Sequence, residues 1–265
     1  MLYVAGPPSN VYVYTYPRFR LVGTLTGFNN PTHPCSDKNG NVWIPNFDGA
    51  DIVEYAHGGV NPVATLSDPN ISPQNCSVDP TTGNLAVTGY GPPSATTGSI
   101  AIYAGAEGIG KEIPVDFSVT SFCSYDAKGN LFVDGFGFSE EPPFVFGVVP
   151  AGRKSFKTIT LKSPPYQPFN VQWDGKYVAI GDAASIDRYR IHGLKVVEVG
   201  SRHLSVIHMI GGFWIQGPKV AVTNMFGQGT YPSALLYDYP AGGDPIETIS
   251  GVDGTNGLTV SLAPR

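Results

Sequence analysis

The stretch Cys76–Tyr90, CSVDPTTGNLAVTGY, has two near copies in the chain: Cys35–Phe47, CSDKNGNVWIPNF, and Cys123–Phe136, CSYDAKGNLFVDGF. Each copy contains an Asp that is followed, a few residues later, by Gly-Asn. Asp and Gly-Asn supply the side-chain hydrogen bonds and positive φ angles that tight turns need, and alternating apolar residues flank them. The copies therefore predict three β-hairpins, and the repeated Asp residues are interpreted as turn-stabilising rather than catalytic.

The hairpins belong to a longer repeat. A degenerate fourth copy begins at Asp174, and further short apolar segments such as Ser99–Tyr103 follow each hairpin. Four strands in about 40–47 residues is the period of a propeller blade. Inner strands are expected near residues 35, 76, 123, 171, 208 and 258. The sequence thus predicts an all-β, six-bladed propeller with four antiparallel strands per blade, forming a single domain over residues 1–265.

Both chain ends read as parts of one blade. Residues 257–262 resemble an inner strand without the rest of its blade, and residues 2–25 supply three more strands. Pairing the N-terminal strands with the C-terminal inner strand removes open sheet edges that would favour aggregation. We therefore expect the ring to close between the two ends.

The three cysteines occupy two registers of the repeat. Cys76 and Cys123 lie three residues before their Asp, whereas Cys35 lies two before. Because strand side chains alternate between faces, Cys35 should point opposite to Cys76 and Cys123. Their spacing matches no zinc motif. We interpret all three as small apolar core residues rather than as disulfide partners or metal ligands.

Composition and charge narrow the functional classes. The 265 residues include 33 Gly and 24 Pro, and the net charge of −5 comes without acidic or basic runs. This pattern argues against nucleic acid and anionic membranes as partners, and no apolar segment is long enough for a membrane span. Low charge and high Gly, Pro and Tyr favour a periplasmic or extracellular protein, with any signal peptide absent from this sequence, and leave a cytoplasmic one open.

Polar residues recur at the strand ends that surround one mouth of the channel. The positions where inner strands begin are His33, Asn75, Phe122, Asn170, His208 and Asn256 or Gly257; those where second strands end are Asn46, Gly89, Asp134, Asp182, Asn224 and Gly6. Asp182, Asn170, Asn224 and His208 come from neighbouring blades and form a candidate site for Ca²⁺ or Mg²⁺. The alternative is that Asn and Asp simply cap turns.

Aromatic residues recur just beyond these second strands. Phe47, Tyr90, Phe136 and Phe226, with Phe138, would form a platform on which a sugar or planar ring stacks. Asn75, Asn46 and Asp134 complete this candidate ligand-binding set. The alternative is that the aromatic rings pack between adjacent blades.

The combination of Val/Tyr-Asp with Gly-Asn-Leu-Phe-Val-Asp resembles the NHL-repeat, virginiamycin B lyase-like and gluconolactonase-like propellers over nearly the whole chain. The resemblance implies a channel-mouth site with a metal ion and, for the lyases, a His and Glu acid/base arrangement. His33 and His208 are the catalytic candidates, but no inner strand contains Glu. This departure weakens the catalytic hypothesis.

Three functions remain open. The first is a secreted propeller that binds a small molecule, a carbohydrate or a protein partner at the channel mouth. The second is a metal-assisted lactonase-like hydrolase or lyase. The third is a structural surface protein assembled through its blade edges.

Overall fold

Short apolar runs such as Leu2–Gly6 and Val42–Asn46 form β-strands that are buried along their whole length, because each sheet packs between two neighbouring sheets. The computed structural model describes residues 1–6, 8–91, 97–138, 144–166, 168–225, 233–252 and 255–264. Within these ranges, 24 strands form six four-stranded antiparallel sheets, numbered β1 to β24 along the chain. Two single 3₁₀ turns occur at Phe47–Gly49 and Ala104–Ala106. The predicted six-bladed propeller is confirmed.

Each blade begins with an inner strand beside the channel. The first blade contains, from inside to outside, β24 (Leu258–Val260), β1 (Leu2–Gly6), β2 (Asn10–Tyr14) and β3 (Leu21–Leu25). The second contains β4 (Cys35–Ser36), β5 (Val42–Asn46), β6 (Asp51–Tyr55) and β7 (Ala64–Ser67). The third contains β8 (Ser72–Val78), β9 (Leu85–Tyr90), β10 (Gly98–Tyr103) and β11 (Lys111–Ile113).

The remaining three blades follow the same order. The fourth contains β12 (Val119–Tyr125), β13 (Leu131–Phe136), β14 (Phe144–Val149) and β15 (Lys157–Thr158). The fifth contains β16 (Pro168–Trp173), β17 (Val178–Asp182), β18 (Ser185–His192) and β19 (Lys195–His203). The sixth contains β20 (Ile210–Gln216), β21 (Lys219–Asn224), β22 (Ala234–Asp238) and β23 (Glu247–Ile249). In the described part of the chain, no helix is long and apolar enough to cross a membrane.

The ring closes through the two chain ends, as predicted. Strand β24 pairs antiparallel with β1, and Leu2 lies opposite Val260. The Met1 ammonium group also donates a hydrogen bond to the Ser261 carbonyl oxygen over 2.6 Å. The inner edge of the first blade is therefore paired rather than open.

The repeated Asp residues stabilise the turns between first and second strands. The carboxylates of Asp37, Asp79, Asp126 and Asp174 each accept a hydrogen bond from the backbone N–H two residues ahead, over 2.8–2.9 Å. The glycines of these turns adopt φ angles between 76° and 94°, a region that costs glycine nothing. The repeated Asp and Gly therefore specify hairpin shape.

Hydrophobic packing fills the spaces between blades. Among the described residues, six buried clusters occur, and each draws its side chains from two adjacent blades. Between the fourth and fifth blades, for example, Phe132 and Phe146 stack with ring centroids 6.1 Å apart beside Val178. These apolar contacts hold the blades together. Because the hydrophobic effect is non-directional, they do not by themselves fix how one blade is placed relative to the next.

The repeated serines add direction by bonding to the inner strand of an adjacent blade. The pairs are Ser77 with the N–H of Tyr125, Ser124 with the N–H of Trp173, and Ser36 with the carbonyl oxygen of Val260, over 2.9–3.0 Å. Ser77 and Ser124 reach the following blade, whereas Ser36 reaches the preceding one. This reversal is the one expected from the shorter spacing between Cys35 and Asp37.

Amide side chains make similar ties. The Asn75 Oδ1 atom accepts a hydrogen bond from the Cys123 N–H over 2.8 Å. Gln172 bonds to both backbone groups of Ile215, accepting from its N–H over 2.5 Å and donating to its carbonyl oxygen over 3.2 Å. We call the serine and amide contacts together the inner-strand ties.

Cys35 and Cys76 form a disulfide between the second and third blades. The prediction that all three cysteines are simple core residues is thus wrong for these two, while Cys123 is buried and free. The predicted opposite orientation explains the bond. Cys35 points toward the third blade and Cys76 toward the second, so they face each other across one blade interface. Cys123 points back toward a cluster that contains no other cysteine.

Replacing Asn75 with Ala should lower the free energy of unfolding by about 1–3 kcal/mol, because the buried Cys123 N–H loses its acceptor. Urea denaturation followed by circular dichroism measures the change. The matched control is Asn61→Ala at an exposed position, which should change stability by less than about 0.5 kcal/mol. Equal effects of both substitutions would contradict a special role for Asn75.

Thiol titration should separate the three cysteines. Burial raises the pKa of the Cys123 thiol to about 12, so the native protein should not react with a thiol reagent at neutral pH. Denaturation without reductant should expose one reactive thiol, and reduction should raise the number to three. Three thiols before reduction would show that Cys35 and Cys76 are not bonded.

Candidate functional site

His33 lines two cavities, which open at opposite ends of the channel. Its Nε2 atom donates a hydrogen bond to the Gly211 carbonyl oxygen over 2.9 Å, since a carbonyl can only accept. The ring packs edge-on against Phe122 with centroids 4.8 Å apart. A Cβ atom on Gly257 would lie 2.6 Å from the ring, so glycine is required there. His33 thus connects its own blade with three others.

Burial keeps the His33 ring neutral. Desolvation lowers its pKa below the ordinary value, and the carbonyl oxygens of Gly211 and Gln74 only partly oppose this shift. At neutral pH the ring therefore holds its Nε2 proton on Gly211. This geometry gives His33 a scaffold role, and its catalytic role stays a prediction.

One cavity opens on the loop face, where the chain enters the inner strands. It has a volume of about 340 Å³, and its rim carries Phe47 and Tyr90. The two rings contact each other at right angles with centroids 5.7 Å apart, and Tyr90 is 42% exposed. Two residues of the predicted aromatic platform are therefore brought together at the channel mouth.

The loop-face cavity is polar but uncharged. Its described lining contains amide and hydroxyl side chains, from Asn30, Thr32, Gln74 and Asn256, and no Asp, Glu, Lys or Arg. The Gln74 Oε1 atom is buried and has no hydrogen-bond partner among the described residues. An acceptor in that state carries the free-energy cost of its lost hydration.

The predicted asparagines are used by the scaffold. Asn46 donates to Asp51 over 2.9 Å and accepts from the backbone N–H of Asn29 over 2.5 Å. Asn75 forms an inner-strand tie, and Asn170 donates to the Phe213 carbonyl oxygen. Turn capping, the alternative considered from sequence, would have each Asn side chain bond to the backbone of its own turn. None of these contacts does so.

Asp134 is completely buried within β13. Its Oδ1 atom accepts a hydrogen bond from the Phe122 N–H over 2.9 Å, and Oδ2 has no partner among the described residues. Burial raises the pKa of this carboxyl to about 8, with the Phe122 N–H opposing the shift. Asp134 is therefore mainly protonated at neutral pH and lies out of reach of a ligand at the surface.

The predicted metal ligands Asp182, Asn170, Asn224 and His208 come from the fifth and sixth blades. His208 is exposed two residues before β20 begins, and Gly211 lines the loop-face cavity in that blade instead. The segment does run beside Asp182, because the Ile210 N–H bonds to the Ala183 carbonyl oxygen. Among the described residues, no three His, Cys, Asp or Glu side chains could hold a metal ion. The Ca²⁺ or Mg²⁺ site of Asp182, Asn170, Asn224 and His208 stays a prediction.

The other predicted aromatic residues are dispersed. Phe136 is half-buried and Phe138 is 57% exposed, and neither lines the loop-face cavity. Phe226 lies outside the described residues. Sequence reasoning placed Phe122 among the strand ends at the channel mouth. It did not anticipate Phe169 or Met225 as lining residues, although both lie next to predicted strand ends.

A second, larger cavity opens on the turn face, the opposite end of the channel where the Asp–Gly-Asn turns lie. Its volume is about 520 Å³, and all three tryptophans of the chain, Trp43, Trp173 and Trp214, line it. Sequence reasoning missed this cavity. Two tryptophans lie close to turns in the sequence, which could have indicated the turn face: Trp173 directly precedes the turn residue Asp174, and Trp43 follows the turn at Gly40 by three residues.

Replacing Asp134 with Asn should stabilise the protein progressively as pH rises. The unfolded carboxyl loses its proton near pH 3.8 and the folded one near pH 8, so wild-type stability falls as pH increases between these values. The stability difference from the variant should grow by up to about 1.4 kcal/mol per pH unit between about pH 5 and 7. Urea denaturation at each pH measures it. Asp48→Asn, at an exposed position, removes the same charge; equal effects would assign the change to net charge.

Comparisons with known proteins support the fold alone. No protein-family profile and no curated protein matches the chain. A chain of the nidogen/laminin complex has a TM-score of 0.74 at 12% identity, covering 100% of this chain and 99% of that one. A protein of unknown function from Bacteroides caccae has a TM-score of 0.70 at 14% identity, covering 97% of each. A functionally unknown protein from Desulfotomaculum acetoxidans has a TM-score of 0.67 at 9% identity, covering 100% and 99%. The chain therefore shares its propeller fold with proteins of very different sequence.

Proposed function

We propose that this protein is a ligand-binding propeller and that its loop-face cavity takes a neutral carbohydrate of mono- or disaccharide size. The observation that carries the proposal is the Phe47–Tyr90 ring pair, in which Tyr90 is exposed, at a cavity lined by amide and hydroxyl side chains. A sugar ring stacks its C–H face on aromatic side chains and bonds its hydroxyl groups to amides.

The charge of the lining favours this class over ionic ligands. Among its described residues the cavity offers amide, hydroxyl and aromatic groups, and the imidazole of His33 is neutral. A volume of about 340 Å³ lies at the small end of ligand cavities. A charged substrate would enter without a counter-charge, whereas a neutral polyol would find partners for its hydroxyl groups.

The proposed setting is outside the cytoplasm, in the periplasm or the extracellular space. The Cys35–Cys76 disulfide supports this proposal because such bonds persist in oxidising compartments. The resemblance to NHL-like propellers is compatible with such a binding role, and it is retained here as part of the proposal.

Saturation-transfer difference NMR with a panel of neutral mono- and disaccharides tests the proposal. We expect signals from sugar ring protons with the wild-type protein, and about a two- to tenfold loss of affinity in Tyr90→Ala, since stacking contributes about 0.5–1.5 kcal/mol. Tyr90 is partly exposed, so its removal should leave thermal stability nearly unchanged.

Ile109→Ala is the control, because Ile109 is 81% exposed and lines neither cavity. Failure of the whole panel to bind, or equal binding by both variants, would contradict the proposal. A rise in melting temperature with added Ca²⁺ or Mg²⁺ would instead support the metal-assisted hydrolase or lyase, since an ion that binds only the folded state stabilises it.

A further inference from the structure

We propose that the turn-face cavity is a second binding site, specific for a small organic cation that carries an ammonium group. This site and the loop-face cavity open at opposite ends of the channel and share only His33 among their described lining residues. It differs from the loop-face cavity in both ring type and charge.

Aromatic surface comes from three different blades. Trp43 lies on β5, Trp173 ends β16 and Trp214 lies on β20. Trp214 packs against the cluster between the sixth and first blades and also against the cluster around the Cys35–Cys76 bond. Its ring therefore extends across the channel. Trp173 and Trp214 are only half-buried, which leaves indole surface for a cation to contact.

The same cavity carries an excess of negative charge. Asp37, Glu54, Asp79 and Glu107 line it, against one cationic residue, Lys38. The carboxylates of Asp37 and Glu107 lie near enough to Glu54 to add to the effect of burial in raising its pKa. Hydrogen bonds from Thr81 and Thr82 keep the pKa of Asp79 below its ordinary value, so Asp79 stays charged. A concave site lined by one sign of charge concentrates counter-ions.

Carboxylate and indole occur side by side on one sheet. Trp43 and Glu54 are directly opposite each other in the β5–β6 pairing, so their side chains project from the same face. Trp43 is only 3% exposed, so an ammonium group there meets the Glu54 carboxylate. Trp173 and Trp214 supply the accessible indole surface of the same cavity. Each contact favours a positive charge, and both are strengthened by partial exclusion of water.

The spacing of the acids favours an organic cation over a metal ion. In the part of the chain that the structure describes, no three His, Cys, Asp or Glu side chains converge closely enough to hold a metal. The charge is instead spread around a cavity of about 520 Å³, which is a volume suited to a small molecule. An extended cation can contact several of these groups, whereas a bare ion cannot.

Tryptophan fluorescence tests the site directly, because all three tryptophans line it. Choline and spermidine are the cationic probes, and 3,3-dimethylbutan-1-ol is the neutral isostere of choline. We expect a saturable change in emission with at least one cation, and at least about tenfold weaker binding of the isostere. Added NaCl should weaken cation binding, because dissolved ions screen the attraction between the carboxylates and the cation.

Glu54→Gln should weaken binding about tenfold, and Glu107→Gln, at an exposed position, provides a second variant that should not disturb folding. Glu247→Gln, on the outer strand β23, and Tyr90→Ala at the loop face should leave cation affinity unchanged. The proposal is overturned if neither cation gives a saturable change up to about 10 mM. Equal affinity for the neutral isostere, or full affinity in both Glu54→Gln and Glu107→Gln, would overturn it as well.

Discussion

Hydrogen bonds between the inner strands of adjacent blades determine how six sheets share one axis. Apolar clusters between blades supply most of the driving force for packing, but burial alone fixes neither height nor rotation. Serine and amide side chains do so, because each bonds to a backbone group at one defined level of the next strand. The repeated Cys-Ser sequence is therefore a structural device: its Ser makes the tie, and two of its Cys residues form a covalent equivalent.

The hairpins could be predicted because they depend on local chemistry, and the ring closure because the two chain ends each supply an incomplete part of one blade. Asp and Gly-Asn specify each turn without help from distant residues, and the apolar alternation assigns faces within a strand. The opposite orientations of Cys35 and Cys76 were also predicted correctly, but each strand was considered by itself. Opposite orientations on two adjacent blades mean that Cys35 and Cys76 face each other, and this conclusion required placing the blades side by side.

The candidate sites were harder to predict because inner strands are irregular near the loop face. Register shifts occur between Pro73 and Asn75, between Phe169 and Val171, and between Ile210 and Gly212. A bulge rotates the following side chains, so a count of residues from the turn no longer gives the face. Asn75 and Asn170 consequently bond to neighbouring strands, while Phe47 and Tyr90, which follow regular second strands, do reach the mouth.

The seam between β24 and β1 also determines how the ring would yield to mechanical force. Met1 and Ser261 lie at the same end of an antiparallel pair, so pulling on the two termini loads the interstrand hydrogen bonds one after another rather than together. Strands loaded in this geometry separate at low force, because only one hydrogen bond bears the load at a time. The force should be lower still because β24 has only three residues in its pairing with β1. As unfolding proceeds, the Cys35–Cys76 disulfide keeps these two residues together. The chain between them, a sequence separation of 41, therefore cannot contribute to the extended length.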